Sequence, residues 1–362
     1  MPLGNHLPTV GRTVRHMLMT NTQPILPALM QAAPLTDSLG RKVTYLRISV
    51  TDRCDLRCSY CMAEHMQFMS HNDVLRLEEF YRLATLFMRH GVRKIRITGG
   101  EPLVRKNIMS LFEMLSAHLD NGELDEVVVT TNGSQLSRHA EGLFAAGIRR
   151  INVSLDSLNA DRYRLLTRCG DLSKVMNGLD RAQEAGLKVK INAVAMKGAF
   201  ENEVDDLIRF AHGRGMDLTL IEEMPLGNVG HDRKASFLSL AELEKDLWSR
   251  WSLTPLASGT GGPARYMRIE ETGGKLGFIT PLSCNFCSSC NRVRLDCAGK
   301  FYTCMGSEGS VSLREALRDS SSDERLEALI FDAVAHKPHH HNFAMDRDVM
   351  QGIGRHMSVL GG

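Results

Sequence analysis

A parallel α/β sheet is the fold this sequence predicts, and three observations predict it. Six strand-like runs succeed one another between Tyr45 and Glu223, and helical patterns separate them. The glycine-rich and cysteine-rich stretches fall just past the ends of those runs. Strands that alternate with helices in this way pair in parallel through helical crossovers.

Tyr45 to Val50 alternates and is rich in β-formers, so it reads as the first strand. Phe80, Leu83, Ala84, Phe87 and Met88 then recur at helical spacing, and Gly91 supplies a stop. Lys94–Thr98 is the next strand, followed by Glu126–Thr131, Arg150–Asp156, Lys188–Ala195 and Asp217–Glu223. Helical patterns lie between them around Leu111, Leu143, Leu179 and Leu207. Gly147, Gly186 and Gly215 each stand just before a strand, where a helix C-cap is expected. In such sheets the working residues sit at the C-terminal strand ends. Cys54, Gly99-Gly100-Glu101-Pro102, Thr130–Gly133, Ser154 and Met224 all fall there.

After Asn228 the regularity stops. Leu238–Trp248 reads as a helix, Tyr266–Ile269 and Leu276–Ile279 as short antiparallel strands, and helical patterns resume around Leu313 and Leu326. The expected organisation is a main domain over residues 37–227 and a smaller one over 228–362. Residues 1–36 hold no Asp or Glu and several prolines, which reads as a poorly ordered extension. An acid-poor, Arg-bearing start also fits a transit peptide, or a start codon assigned ahead of Met17, Met19 or Met30.

Composition is that of a soluble globular chain, and a formal net charge of +2 gives no argument for nucleic acid or a membrane surface. No apolar run is long enough to span a bilayer. Of nine cysteines, eight gather around Cys54 and Cys290 rather than spreading as a disulfide framework would, which reads as metal binding. Cys169 stands alone and reads as a small apolar residue.

Cys54, Cys58 and Cys61 stand at a C-x3-C-x2-C spacing. Soft thiolates select zinc, copper(I) or iron–sulfur clusters. An ordinary 4Fe–4S cluster takes four cysteines, so three suggest a cluster with one iron open to a small molecule. The bland alternatives are three free buried thiols, or a zinc knuckle with His65 as fourth ligand. Cys287-Ser-Ser-Cys290 with Cys304 is a second group, compatible with a zinc ribbon. Arg292 and Arg294 beside it share one strand face and suit a phosphate-rich ligand. Arg47, Arg96 and Lys190 lie within strands; solvated or salt-bridged cations are the usual reading, while several pointing into one barrel imply an anionic substrate such as a nucleoside triphosphate. No P-loop is present. The run His339-His340-His341 reads as a solvated loop.

The cysteine loop with Tyr60 before the last thiol resembles the signature of the radical S-adenosylmethionine (SAM) enzymes, and Gly99–Pro102 resembles their GGEP motif. Thr51–Met62, Ile95–Leu103, Thr130–Gly133, Ile151–Asp156, Phe286–Arg294 and the terminal Gly361-Gly362 together are similar to the MoaA family, the GTP 3′,8-cyclases that begin molybdenum-cofactor synthesis. The likeness runs from about Leu35 to Gly362. It implies a partial (βα)6 TIM-type barrel with a smaller C-terminal α+β domain carrying a second iron–sulfur cluster. It implies two 4Fe–4S clusters, one on Cys54, Cys58 and Cys61 for SAM, and one on Cys287, Cys290 and Cys304 whose open iron meets guanine. Tyr60, Gly100, Ser154 and Met224 match SAM contacts. Arg47, Arg96, Thr130, Lys190, Arg292, Val293 and Arg294 match GTP contacts. Arg292, Arg294, Gly361 and Gly362 match catalytic positions, the tail being placed near the radical site. Cys284 and Cys297 match no ligand, and Thr219 stands where many relatives carry Arg.

The implied reaction begins with reductive cleavage of SAM to a 5′-deoxyadenosyl radical, which takes the C3′ hydrogen of GTP; C3′ then bonds to C8. An external electron donor, transfer of product to cyclic pyranopterin monophosphate synthase, a cytoplasmic location and a monomer or homodimer complete the expectation. The alternatives are a peptide maturase of the radical SAM type and a non-catalytic zinc module.

Overall fold

Period-two alternation decides which way each strand faces. Leu46, Ile48, Ile95, Ile97, Val127, Val129, Ile151 and Val153 turn outward into one continuous apolar core under the helices. Arg47, Arg96, Thr130, Asn152, Lys190 and Asn192 take the alternate positions and face inward. The computed structural model describes residues 32–198, 200–257, 261–283, 286–345, 350–351 and 354–361.

The order is β1 (Tyr45–Ser49), α1 (Leu77–Arg89), β2 (Lys94–Thr98), α2 (Ile108–Asp120), β3 (Glu126–Thr131), α3 (Leu136–Ala145), β4 (Arg150–Ser154), α4 (Ala160–Thr167), α5 (Leu172–Glu184), β5 (Lys188–Ala195), α6 (Phe200–Gly213) and β6 (Asp217–Glu222). Strands β1 to β6 pair in sequence order, all parallel. Helix α4 is an addition to the expected pattern. Gly147, Gly186 and Gly215 take positive φ at the helix ends, as expected there.

The C-terminal part supplies α7 (Arg233–Ser236), α8 (Leu240–Arg250), β7 (Leu253–Leu256), β8 (Arg265–Ile269), β9 (Lys275–Ile279), β10 (Arg292–Leu295), β11 (Lys300–Tyr302), β12 (Val311–Ser312), α9 (Arg314–Asp319), α10 (Glu324–Ala335), β13 (Ala344–Met345), β14 (Met350–Gln351) and α11 (Met357–Leu360). It builds no large sheet of its own: β13 and β14 pair with each other, and its other strands join the main sheet. Strand β9 pairs parallel with β6, and β10 pairs parallel with β1. The parallel run therefore holds eight strands, β10-β1-β2-β3-β4-β5-β6-β9, with antiparallel β11 and β12 beyond one end and β8 and β7 beyond the other. Six strands from the first part are a partial barrel, and two from the second continue it at both edges. Phe301 of β11 packs on Phe87 of α1 with ring centroids 5.3 Å apart, so both parts share one core.

Residues 32–36, assigned above to the extension, are tied down. Ala32 donates to the Arg89 carbonyl at 3.1 Å, and Leu35 is fully buried. Residues 1–31 lie outside the described residues. Among the described residues no helix is long and apolar enough to cross a membrane.

Candidate active site

The loop after β1 brings Cys54, Cys58 and Cys61 to the wall of one cavity at the C-terminal mouth of the sheet. Asp55 pins this loop to the one after β3, accepting from Asn132 Nδ2 at 2.8 Å, Ser134 Oγ at 2.6 Å and Gln135 Nε2 at 3.0 Å. His65 is exposed and is not part of the cavity wall. Burial pushes the three thiols up, Cys61 to about 12. Thiols so held become ligands only when a cationic centre draws off their protons. Among the described residues no three His, Cys, Asp or Glu side chains converge on a single metal ion. Thiols arranged around a cavity fit a cluster that binds each sulfur at a different iron, rather than one tetrahedral zinc.

The Gly99-Gly100-Glu101-Pro102 turn owes its glycines to packing. Gly100 does not leave a free N–H group. The Gly100 N–H donates to the Thr51 carbonyl at 2.6 Å, and a Cβ on Gly100 would sit on the Arg53 carbonyl. Both positions are glycine because the cysteine loop's backbone crosses there. Gly100 still lines the cavity. Glu101 is fully buried and accepts from Leu103 N at 3.0 Å, Thr131 Oγ1 at 2.8 Å and Asn132 N at 2.6 Å. It clamps the ends of β2 and β3 together. Burial raises it to about 7, against the pull of those three donors.

Tyr60, Ser154 and Met224 line the same cavity. Tyr60 donates its hydroxyl to Asp156 Oδ2 at 2.7 Å, and Val194 N donates to Asp156 Oδ1 at 2.8 Å. Asp156 thus orients Tyr60. Sequence reading quoted Asp156 within a motif without giving it a role; its position two residues past Ser154 was the available signal.

The second thiol group opens on an adjoining cavity. Cys287, Cys290 and Cys304 line it together with Arg47, Arg96, Arg292 and Arg294. Ile279 at the end of β9 and Pro281 just past it also line the cavity, so residues from both ends of the parallel run meet there. Arg292 donates to Cys290 Sγ at 3.6 Å. Burial raises the Cys290 thiol, but Arg292 and Lys337 outweigh it and bring it down to about 7. Lys337, which sequence reading passed over, is buried and donates to the Arg292 carbonyl at 2.9 Å.

The two cavities share Asn192, Ile221, Met224 and Met357 as wall residues. Two cysteine groups far apart in the chain therefore face one hollow. Its inner face carries an excess of positive charge. At the N-terminal end Lys94 and Arg150 are paired with Glu126. Arg47, Arg96, Lys190 and Arg294, all buried, have no carboxylate partner among the described residues. Burying an unpaired cation costs on the order of several kcal/mol. Burial and the neighbouring guanidiniums hold Arg47 well below its usual range, and Arg294 at about 10. Thr130 Oγ1, Asn192 Oδ1 and Thr219 Oγ1 are also buried without a hydrogen bond.

Not every expected residue joins the wall. Val293 points the other way, into the apolar core, because it alternates with Arg292 and Arg294. Its side chain is therefore no ligand contact. Lys190 donates to the Tyr266 hydroxyl at 3.1 Å and stands outside both cavity walls. Thr130 lines the first cavity, not the second. Cys297 is packed in the core, Cys169 is exposed, contrary to its apolar reading, and Cys284 lies outside the described residues. His339 and His340 are exposed as expected, whereas His341 turns inward and lines the second cavity. Gly361 is buried against Thr98, and Gly362 lies outside the described residues.

A parallel barrel with a three-thiol loop at its mouth defines a class, and the comparisons agree. A model of the Radical SAM superfamily matches residues 48–211, and one of Molybdenum Cofactor Synthesis C matches residues 216–343. The crystal structure of Streptococcus suis SuiB bound to S-adenosylmethionine superposes with a TM-score of 0.59 at 16% identity, covering 82% of this chain and 69% of that one, a likeness of fold. The chain is a radical SAM protein, a class that uses SAM and an iron–sulfur cluster. Curated GTP 3′,8-cyclases of Brucella melitensis and Rhizobium etli are each 56% identical over 337 residues, covering 93% of this chain and 98% and 97% of theirs. The chain belongs to the GTP 3′,8-cyclase family.

Proposed function

We propose that this chain converts GTP to (8S)-3′,8-cyclo-7,8-dihydroguanosine 5′-triphosphate, the first step of molybdenum-cofactor synthesis. The observation that carries this reading is the shared wall between a thiol-lined cavity and a second one lined by thiols and unpaired buried cations. Cys54, Cys58 and Cys61 would hold a 4Fe–4S cluster with one open iron, and Tyr60, Gly100, Ser154 and Met224 would hold SAM beside it. Cys287, Cys290 and Cys304 would hold a second cluster. When bound, the first cluster and SAM supply a 5′-deoxyadenosyl radical that removes the ribose C3′ hydrogen, so that C3′ can bond to C8 of guanine.

The protein's part is placement. Guanidiniums bind phosphate oxygens in pairs, and among the described residues no carboxylate competes for Arg47, Arg96, Arg292 and Arg294. Lys190 adds positive potential from behind Tyr266. Phosphate held there sets the ribose between the two cavities, beside Ile221, Met224 and Met357. Apolar walls at that point keep water from a reactive carbon, and fixed geometry replaces a random encounter. A peptide substrate gives no reason for so many unpaired buried cations. An external donor must supply electrons, and the product would pass to cyclic pyranopterin monophosphate synthase.

The test is anaerobic reconstitution with iron and sulfide, followed by incubation with GTP, SAM and dithionite. The expected result is two 4Fe–4S clusters per chain and cyclised product by mass spectrometry. Bound zinc without sulfide, and no turnover, would replace this reading with the zinc module.

A further inference from the structure

We infer that Lys337 is a positioning residue for the second cluster: its ammonium joins the loops that carry Cys290 and Cys304 and favours the reduced state of the group they would hold. The inference rests on the proposed function. Lys337 follows α10 and is 2% exposed. Its Nζ donates to the Arg292 carbonyl at 2.9 Å and to the Thr303 carbonyl. The first carbonyl lies two residues past Cys290, and the second stands immediately before Cys304. An ammonium has three protons to give. The Cys290 sulfur is its third acceptor. One buried side chain therefore sets the distance between two ligand loops.

A buried lysine ordinarily pairs with a carboxylate. Here the groups that favour its charge are Cys290 and Cys304. Both must give up their protons to hold iron. The natural counter-charge of Lys337 is thus the filled site.

Arg41 makes the contrast. It is buried too, and its Nε donates to Asp37 Oδ2 at 2.5 Å, so a carboxylate neutralises it. Its Nη1 donates to the Cys287 carbonyl at 2.8 Å and its Nη2 to the Pro338 carbonyl at 2.8 Å. Arg41 ties the loop of Cys287 to the residue after Lys337. The Arg41 charge stands against that of Lys337. Two cations behind one group of thiols are tolerable where that group carries negative charge.

Lys337 lines neither cavity. It stands behind the thiols, apart from the guanidiniums that face the substrate. Cluster potentials depend on net charge and on hydrogen bonds to the sulfurs. A fixed cation that also donates to a ligand sulfur makes an added electron easier to hold.

The experiment is an anaerobic redox titration of the reconstituted protein, followed by electron paramagnetic resonance. The signal altered by GTP reports the second cluster, and the signal altered by SAM reports the first. Lys337→Gln keeps N–H donors for the carbonyls and removes the charge. It should move the GTP-responsive signal to a more negative midpoint potential, with the SAM-responsive signal and iron content unchanged. Lys337→Arg, which keeps the charge, should recover part of that shift. A second cluster held by Lys337→Arg but lost from Lys337→Gln also supports the inference. An unchanged potential in Lys337→Gln overturns it, as does an equal shift of both signals or loss of the second cluster from both variants. Each of these leaves the proposed function standing, whereas a wild type with no GTP-responsive signal overturns that function as well.

Discussion

The guanidinium of Arg294 on β10 donates to the carbonyl oxygens of Leu360, at 3.1 Å, and of Gly361. The end of the chain is thus tied into the barrel by a residue that also lines the second cavity. A few residues earlier Ser358 donates its backbone N–H toward Cys61. One short tail therefore touches both thiol-lined cavities, which Met357 also walls.

The tail should matter for chemistry more than for folding. Gly361 takes φ +73°, and a Cβ there would overlap Thr98 Cγ2. Gly361→Ala must therefore shift the tail or Thr98. Deleting Gly361 and Gly362 releases Arg294 from part of its hold. In both variants iron content and folding stay nearly unchanged while cyclised product falls sharply, because small misplacement of reacting atoms is expensive in rate. Anaerobic turnover read by mass spectrometry, with iron assayed in parallel, checks this. Full yield from the truncated chain would return the tail to the frayed ends common at termini.

Arg292→Ala and Arg294→Ala should weaken GTP binding more than SAM binding. A hydrogen bond to a charged group is worth about 1.5–3 kcal/mol, so the loss is roughly tenfold or more. Arg294→Ala should also reproduce part of the tail-deletion phenotype. Calorimetric titration with each ligand separates the effects; equal weakening of SAM contradicts the assignment.

Cys58→Ser should abolish SAM cleavage and leave a cluster at the C-terminal thiols. The two groups line different cavities and belong to different loops. Mössbauer or iron analysis of the anaerobic variant reads the outcome. Loss of both clusters would mean that the second depends on the first.

Glu101 provides a pH signature. Burial raises its carboxyl from an ordinary 4.5 to about 7 in the folded chain. A carboxyl with a raised folded pKa favours folding below its unfolded value, and that contribution is lost as pH climbs through the folded one. The stability of the metal-free protein should therefore fall between about pH 4.5 and pH 7. Glu101→Gln removes this slope and also breaks a bond, because its amide cannot accept from Asn132 N at the donor end. Urea titrations of both proteins across that window test it; parallel pH profiles would show that Glu101 does not titrate there.

Local chemistry determined what the sequence could disclose. Alternation places Leu46 and Arg47 on opposite faces whatever surrounds them, so β1 to β6 and the inward cations were legible. The spacing of Cys54, Cys58 and Cys61 is likewise a property of one loop. Tertiary structure decided what depends on residues remote in the chain. β9 and β10 read as short local strands, because their parallel partners β6 and β1 lie far away in sequence. Gly100 read only as a match to a SAM contact, because nothing local shows that the Thr51–Arg53 backbone fills its Cβ position. Val293 inherited a contact from its motif that the strand's alternation turns into the core. His341 looked like part of a solvated run, and only the closure of its loop on Gly306 points it inward. The physical reason is the same in each case: propensity and spacing act over a few residues, whereas burial and hydrogen-bond partners are set by where the whole chain closes.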